Sequence, residues 1–297
     1  MMSRTVVMPP SKPSRRRPGA KALRAWYAPR RGAYPWRETR DPYAIWVSEV
    51  MLQQTQASRV VPAYRAFLAR FPSVGALAAA SRRDVVRAWD GLGYNRRAVW
   101  LSEGARTIVR EHGGRVPRDP ETLRTLPGVG PYTAAALSSM AFGQRVAVVD
   151  TNVRRVVARV HLGVDGRRAE TRTVHELAQT WLDRDDPGTW NQAVMDLGRE
   201  VCRPRPRCDV CPIARGCAFL RSGAIAPREP GAKDAFEGSS RQVRGAIVRA
   251  LRSHEALSPA RLTAETGFDP ERVDAAVAGL ATDGLVERSA GRVRLAT

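Results

Sequence analysis

The sequence has no cysteine outside one short stretch, residues 202–217, which holds all four. Such clustering favours a metal site over scattered disulfide bonds. No stretch approaches the roughly 20 apolar residues that a membrane span needs, so membrane proteins of that class are excluded. The N-terminal segment, residues 1–20, is basic but lacks the apolar core and cleavage site of a secretory signal. We expect a disordered basic arm there and a cytoplasmic protein, associated with the nucleoid if bacterial.

Acidic residues are also in short supply. The chain has 29 of them against 49 Lys and Arg, which leaves a formal net charge of +20. A surplus of this size attracts polyanions through counterion release, and nucleic acid is the most common polyanion. With 43% hydrophobic residues the chain can build a core, so a wholly disordered protein is excluded.

Alternating polar and apolar runs, typical of strands, are few. Residues 21–221 instead have apolar residues at helical spacing almost throughout. We expect an interruption near Pro62, two helices around the turn "GLGY", and a stop at Gly113–Gly114. Asp150 or Thr151 is expected to cap a further helix.

The composition changes after Cys217. Residues 222–240 are rich in Gly, Pro, Ser and charge, which is typical of a linker. Residues 241–297 predict three helices and a hairpin that turns at Ala290–Gly291. This is the order of a winged-helix domain, and such domains bind DNA or mediate protein contacts. Our hypothesis is that this small α+β unit adds nonspecific DNA affinity.

A glycine-rich turn joins two helical stretches at Pro127-Gly128-Val129-Gly130. Glycines let backbone N–H groups at a helix N-terminus approach a phosphate, although a tight helix–helix turn would need them too. The longer pattern Leu-Pro-Gly-Val-Gly-x-Tyr-Thr-Ala is more specific. It resembles the helix-hairpin-helix of DNA repair glycosylases, which binds the DNA backbone without reading its sequence.

A buried apolar run then delivers Asp150, in "VAVVDTNVRR". Taken alone, Asp150 could be only a helix cap. After a helix-hairpin-helix, it resembles the aspartate of the helix-hairpin-helix–Gly/Pro–Asp superfamily. The four cysteines could hold zinc or an iron–sulfur cluster, and their spacing alone does not decide between the two. Their place in the chain resembles the [4Fe-4S] module of endonuclease III and MutY.

The segment "PWRETRDPYAIWVSEVMLQQTQ" resembles the N-terminal catalytic segment of MutY-type adenine DNA glycosylases. The resemblance extends from about Trp26 to Cys217. It implies a mainly α, two-lobed helix-hairpin-helix glycosylase fold over residues 21–221. It also implies excision of adenine mispaired with 8-oxoguanine or guanine in double-stranded DNA, by a protein that acts as a monomer.

By this resemblance, Glu49 is the acid that protonates adenine, and Asp150 stays ionised and stabilises the sugar cation. Tyr132 lies beside the reacting centre, and Asn152 positions water or the sugar. Bifunctional relatives have a lysine where this chain has Tyr132. Because tyrosine cannot form a Schiff base, the resemblance implies a monofunctional glycosylase.

The resemblance implies further substrate and DNA contacts, and one [4Fe-4S] cluster. Trp36, Arg37 and Asp196 are assigned to the adenine pocket. Gln54, with Gln53, enters the stack where adenine departs or faces the opposite base, and Thr55 is a further substrate or DNA contact. Tyr94 is assigned to the estranged guanine, and Gly128 and Gly130 to the phosphate backbone. The cluster ligands are Cys202, Cys208, Cys211 and Cys217.

This chain departs from the family pattern in three places. Five residues separate Cys202 from Cys208 where the family has six, and Asn95 replaces a common second aromatic residue after Tyr94. The sequence also has no counterpart of the NUDIX-like C-terminal domain of many MutY proteins. Two alternatives remain: a related glycosylase for thymine or uracil opposite guanine, and a noncatalytic DNA-binding protein.

Overall fold

A computed structural model of the chain describes residues 19–224 and 236–297. Most of the expected N-terminal arm and the centre of the expected linker lie outside these ranges. Among the described residues, no helix combines the length and the apolar character needed to cross a membrane.

The described chain is mainly helical, as expected. Seven helices precede the glycine-rich turn: α1 (Ala20–Tyr27), α2 (Pro42–Leu52), α3 (Ala57–Arg70), α4 (Val74–Ala79), α5 (Arg82–Ala88), α6 (Arg96–His112) and α7 (Pro120–Arg124). Five follow it: α8 (Pro131–Met140), α9 (Thr151–Val157), α10 (Thr171–Trp181), α11 (Pro187–Glu200) and α12 (Ala218–Arg221). The last three are α13 (Ser240–Ser253), α14 (Pro259–Thr266) and α15 (Pro270–Thr282), followed by strands β1 (Val286–Ser289) and β2 (Arg292–Leu295).

Many of these helices begin at a side chain that caps them. Asp41 accepts hydrogen bonds from the backbone N–H groups of Tyr43 and Ala44, and Pro42 occupies the first turn of α2. Asp150 caps α9 by accepting from Val153. These caps satisfy donors that a helix N-terminus would otherwise leave unpaired. The expected cap of α9 is therefore confirmed, with Asp150 in that position.

The prediction of a helix interruption near Pro62 was wrong. Helix α3 runs through Pro62, and the chain breaks earlier, between α2 and α3 at residues 53–56. Proline removes one backbone hydrogen bond, to the carbonyl oxygen of Ser58. Both Ser58 and Pro62 are exposed, so water can reach this oxygen. The buried side chains of Val60, Tyr64 and Phe67 hold the opposite face of the helix in place.

Contacts between residues divide the described chain into two compact units, each built from two separate segments. The first unit contains residues 19–33 and 138–224, and the second contains residues 34–137 and 236–297. In the first unit, Leu23 and Tyr27 of α1 join a buried core with Val157, Trp181 and Leu197. An N-terminal helix thus completes a core whose other members lie more than 100 residues later.

In the second unit, the C-terminal segment (residues 240–297) consists of α13–α15 and the β1–β2 hairpin. The strands are antiparallel, and Val286 pairs with Leu295. Ala290 and Gly291 form the turn with φ of 48° and 72°, the left-handed conformation that a two-residue hairpin turn requires. The expected hairpin turn is thus observed. Leu257 also pairs with β2 as an isolated antiparallel bridge, since Leu257 and Val293 exchange backbone hydrogen bonds at 2.9 and 2.8 Å.

Candidate active site and cysteine-rich loop

Glu49 lies within α2, a mostly apolar helix of the second unit. Every residue of α2 from Tyr43 to Met51 is buried, and Glu49 itself is 6% exposed. A charged carboxylate is rarely this buried without a specific reason, because removing it from water is costly. The position of Glu49 therefore marks it as a functional candidate.

Trp36 lies in a short 3₁₀ turn, Pro35–Arg37, and is buried. Its ring stacks on Tyr34 at a centroid distance of 5.0 Å and meets Tyr64 edge-on at 5.5 Å. The Arg37 guanidinium lies 4.8 Å from the centre of the Tyr34 ring. These stacked and edge-on contacts fix the aromatic rings and the guanidinium in defined orientations.

A buried arginine that the sequence analysis did not single out, Arg97, organises the end of α2. It is 4% exposed. Its guanidinium donates at 2.6–3.3 Å to the carbonyl oxygens of Val50, Met51, Gln53, Leu92, Gly93 and Tyr94, and to the hydroxyl of Thr55. Burial lowers the pKa of Arg97 to about 10, and the neighbouring Tyr94 partly offsets this effect. Because a helix C-terminus leaves carbonyl groups unpaired, this cation both satisfies them and complements the helix dipole.

Arg97 thus ties the segment with Gln53, Gln54 and Thr55 to the segment with Tyr94. Thr55 strengthens the link, since its hydroxyl also donates to the Leu92 carbonyl at 3.3 Å. Gln54 is exposed and has a φ of 55°. No motif in the sequence distinguishes Arg97 from the surface arginines around it. Only its burial does so.

Residues 90–95, which we call the Tyr94 turn, hold an aromatic side chain in solvent. Tyr94 is 45% exposed, and its φ of 45° is unusual for a bulky residue. Gly91 and Gly93 also have positive φ. The Trp89 indole donates to the Gly93 carbonyl at 3.2 Å. Strained, exposed aromatic residues of this kind cluster at ligand-binding sites.

The glycine-rich turn lies at the N-terminus of α8. Gly128 has a φ of 75°, and a Cβ atom added there would lie 2.9 Å from Cβ of Trp100. At Gly130 an added Cβ would meet nothing within 4 Å, and the residue is exposed. Val129 between them is buried and anchors the turn. The start of α8, with half-buried Tyr132 in its first turn, is therefore open to an anion.

Replacing Gly128 by Ala is expected to reduce affinity for duplex DNA. The new methyl group has to displace Trp100, and Ala tolerates the left-handed conformation poorly, so the turn must distort at a cost of about 1–2 kcal/mol. Binding titrations at several salt concentrations measure the effect. Gly130→Ala, at a position with open space, is the matched control. Equal losses in the two variants would contradict this explanation.

In the first unit, Asp150 and Asn152 form a hydrogen-bonded group at the start of α9. Besides the N–H of Val153 at 2.6 Å, the Asp150 carboxylate accepts from the Asn152 amide at 2.9 Å. Arg155 donates to Asn152 Oδ1 at 2.8 Å and to the backbone carbonyls of Gly198 and Cys202, both at 2.7 Å. Hydrogen bonds of this kind stabilise a charged carboxylate. The same chain of contacts joins Asp150 to the first cysteine.

Helix α11 approaches Asn152 closely at Gly198. A Cβ at Gly198 would lie 2.8 Å from Cβ of Asn152, so any larger residue would push the two helices apart. Asp196 lies two residues earlier, is 2% exposed and forms an ion pair with Arg199 at 3.1 Å. The motif "VMDLGREVC" therefore combines a buried carboxylate with a close helix contact.

The cysteine-rich loop, residues 202–217, places all four cysteines around one cavity. Val156, Leu197 and Ile213 add apolar lining, and none of the four thiols forms a disulfide. Burial raises the pKa of the Cys202 and Cys208 thiols and raises that of Cys211 to about 11. Over residues 19–224 and 236–297, no three His, Cys, Asp or Glu side chains are grouped as a ready site for a metal ion.

Arg159 holds this loop from inside. It is 1% exposed and donates to the carbonyls of Arg203 and Pro204 at 2.6 and 2.9 Å. Its ion pair with Asp165 at 3.0 Å compensates its buried charge. It also lies 3.6 Å from the Cys202 sulfur, at the longer distance typical of a hydrogen bond to sulfur. The outer side of the loop presents four exposed arginines, Arg203, Arg205, Arg207 and Arg215.

The candidate residues thus fall into separate groups. The second unit contains Trp36, Arg37, Glu49, Gln53, Gln54, Thr55, Tyr94, Gly128, Gly130 and Tyr132. The first contains Asp150, Asn152, Asp196, Cys202, Cys208, Cys211 and Cys217. Within the second unit, Arg97 links Gln53, Thr55 and Tyr94. Within the first, Arg155 links Asp150, Asn152 and Cys202.

Comparison with known proteins agrees with this arrangement of motifs. Residues 47–188 match the model for HhH-GPD superfamily base excision DNA repair proteins. An adenine DNA glycosylase of Mycolicibacterium smegmatis is 42% identical over 278 residues, which cover 92% of this chain and 94% of the relative. The chain belongs to the HhH-GPD superfamily. The match also confirms the resemblance to MutY-type glycosylases inferred from the sequence.

Solved structures support the same superfamily fold. A thermostable thymine-DNA glycosylase superposes with a TM-score of 0.63 at 33% identity, covering 69% of this chain and 95% of that one. A noncovalent complex of endonuclease III with DNA gives a TM-score of 0.58 at 21% identity, covering 68% and 94%. The mainly helical HhH-GPD fold expected from the sequence is therefore confirmed.

Proposed function

We propose that this HhH-GPD protein removes adenine mispaired with 8-oxoguanine or guanine from double-stranded DNA. The observation that carries the proposal is the burial of Glu49 in a helix whose other residues from Tyr43 to Met51 are all buried too. Packing alone gives no reason for a carboxyl group there. The similarity to an adenine DNA glycosylase over 92% of the chain supports the same activity.

The protein can reach the glycosidic bond only after the nucleotide leaves the base stack. Adenine is a poor leaving group until a ring nitrogen is protonated. Glu49 is the carboxyl group that we assign to donate this proton to the base. The resulting carboxylate then assists the attack of water on the sugar.

Asp150 has the opposite role. It accepts two hydrogen bonds and lies at the N-terminus of α9, where the helix dipole favours negative charge. An ionised Asp150 stabilises the positive charge that develops on the sugar as the base departs. Asn152, held by Asp150 and Arg155, positions water or the sugar. This division between a neutral and a charged carboxyl group is the one used in glycoside hydrolysis.

Tyr132 limits the reaction to base removal. A phenol cannot form an imine with the sugar, so strand cleavage through a Schiff base is not available at this position. Tyr94 contacts the base opposite the extruded adenine, and the start of α8 at Gly130 binds the DNA backbone. The four exposed arginines of the cysteine-rich loop add phosphate contacts. The protein acts as a monomer.

We further propose that the cysteine-rich loop holds one [4Fe-4S] cluster, with Cys202, Cys208, Cys211 and Cys217 as ligands. The four thiols line one cavity, which fits a group that takes one cysteine per iron. When bound, the cluster supplies a rigid brace for the basic loop. Arg159 fixes the carbonyls between Cys202 and Cys208, where the spacing is one residue shorter than in the family.

Thymine or uracil opposite guanine is the second candidate substrate. It is favoured by the similarity to the thymine-DNA glycosylase structure, at 33% identity. Both candidates require a nucleotide that is flipped out of the duplex, and they differ in the base that is removed.

Single-turnover assays on a panel of duplexes test the proposal. The duplexes pair A with 8-oxoguanine, G or C, and pair T and U with G. We expect alkali-dependent strand breaks for A opposite 8-oxoguanine and G, and no enzyme trapped on DNA by borohydride. Exclusive cleavage of T·G or U·G would favour the second candidate, and efficient trapping would refute the assigned role of Tyr132.

The cluster has an independent test. Iron and sulfide analysis of anaerobically purified protein should give about four of each per chain, the composition of one [4Fe-4S] centre. Stoichiometric zinc without sulfide would instead identify a zinc site.

A further inference from the structure

Arg252, on α13 of the C-terminal segment, contacts the residues at both ends of the Tyr94 turn. Its guanidinium donates to Asn95 Oδ1 at 3.3 Å and to the Val86 carbonyl at 3.2 Å, and it forms an ion pair with Asp90. Asp90 begins the turn and Asn95 ends it. The Arg252 side chain is 14% exposed although its partner Asp90 lies largely in solvent. A single side chain thus closes the loop that holds Tyr94.

A second arginine of α13 lies at the tip of the same turn. Arg241 Nη1 is 3.5 Å from the Tyr94 hydroxyl. The rest of the C-terminal segment is fixed nearby. Arg96, the residue after Asn95, pairs with Asp283 at 3.2 Å, and Arg82 of α5 donates to the Gly284 carbonyl at 3.3 Å. These contacts attach the C-terminal segment to α5 and α6, on either side of the Tyr94 turn.

The charge of the C-terminal segment argues against a mainly electrostatic role. It contains nine arginines, no lysine and seven acidic residues, so it carries little of the +20 surplus. Five of those arginines are already paired with carboxylates: Arg244, Arg252, Arg261, Arg288 and Arg294. Nonspecific attraction to phosphates needs free cations, which this segment has few of. Our hypothesis from the sequence, that this segment adds nonspecific affinity, therefore has little support from its charges.

Tyr94 needs external support to keep its conformation. Its positive φ is strained, and the two glycines before it give the turn freedom to rearrange. Arg97 holds the turn from the interior, through the carbonyls of Leu92, Gly93 and Tyr94. Arg252 holds it from the outside, through side chains. The turn is therefore held by two arginines. Arg97, in the helix that follows the turn, contacts it from the interior, and Arg252, more than 150 residues later in the chain, contacts it from the outside.

We propose that the C-terminal segment takes part in recognition of the opposite base, with Arg252 as the positioning residue. It fixes the Tyr94 ring in the orientation that meets the base left behind when adenine is extruded, and Arg241 lies at the hydroxyl end of that ring. This inference rests on the proposed function, because it assigns Tyr94 to the estranged base. Asn95, where the family commonly has an aromatic residue, serves here as the acceptor for Arg252.

The test compares R252M with R249M in the full-length protein. Arg249 is an exposed arginine of the same helix, so the control removes the same charge. Single-turnover excision is measured for A opposite 8-oxoguanine, G and C. We expect R252M to reduce the preference for 8-oxoguanine over C by roughly fivefold to tenfold, the effect of losing one hydrogen bond of ordinary strength, and R249M to leave it unchanged. A uniform loss of rate against all three bases would overturn the proposal.

A second measurement tests whether Arg252 positions the Tyr94 turn, independently of excision activity. Amide hydrogen exchange at residues 90–95 should be faster in R252M than in wild type and R249M, without DNA. Unchanged exchange there would overturn the positioning role. If wild type removes adenine opposite none of the three bases, the proposed function fails, and exchange alone decides whether Arg252 clamps the turn. If R252M does not fold, R252K is used, which keeps the charge but lacks the fork that reaches both flanks.

Discussion

Replacing Glu49 by Gln is expected to slow adenine excision by a factor of about 10²–10⁴, the usual contribution of a positioned general acid. Glutamine has nearly the same size and keeps hydrogen-bonding capacity, so α2 should remain folded. It cannot give a proton to the departing base. Affinity for the mismatched duplex should therefore be unchanged while the single-turnover rate falls. Measuring both on duplexes with A opposite 8-oxoguanine separates catalysis from binding.

Glu38→Gln is the matched control for this prediction. Glu38 is exposed and lies shortly before α2, so the same chemical change there should leave the excision rate unaffected. Equal excision rates for wild type and the Glu49 variant would remove Glu49 as the acid. A comparable loss in the Glu38 variant would point instead to a general effect of charge on DNA binding.

Replacing Arg97 by Met should lower the free energy of unfolding by at least about 3 kcal/mol, because several buried carbonyls lose a charged donor at once. Methionine fills much of the space of the arginine stem but donates no hydrogen bond. The end of α2 and the Tyr94 turn then lose their common support. Urea denaturation measures the change in stability, and excision measured well below the denaturation midpoint measures the accompanying loss of activity.

Arg65→Met provides the comparison for Arg97. Arg65 is exposed on α3, so its loss should change stability by less than about 0.5 kcal/mol, as for most surface substitutions. A similarly small change for Arg97→Met would mean that water satisfies the carbonyls at the end of α2. In that case Arg97 would not be the residue that joins Gln53 and Thr55 to Tyr94.

Local features of the fold followed from the sequence because each is decided by nearby residues. The helix start at Asp150, the stop of α6 before Gly113 and the turn at Ala290–Gly291 depend on one or two side chains and on the backbone freedom of glycine. Pro62 was misjudged for a tertiary reason. Exposure of the carbonyl that it leaves unpaired, together with burial of the opposite face, outweighs the local cost of proline in the helix.

The supports of the candidate site could not be predicted in the same way. Arg97, Arg155, Arg159 and Arg252 lie among many arginines of a basic chain, and nothing in their spacing distinguishes them from surface residues. Each of these four arginines is distinguished only by its hydrogen bonds to carbonyl groups and side chains of residues distant in the sequence. Motifs therefore indicated the candidate groups for base removal, whereas the residues that hold those groups required the folded structure.

The attachment of α13 beside the Tyr94 turn also bears on synthesis of the chain. Arg252 bonds to residues 162 and 157 positions before it, Asp90 and Asn95. During translation, the aromatic turn emerges from the ribosome long before the side chain that closes it. A nascent or prematurely terminated chain that ends before α13 would contain Glu49 and the glycine-rich turn but would lack the contacts of Arg252 with the Tyr94 turn. Synthesis of α13 must therefore be complete before Arg252 can close the Tyr94 turn.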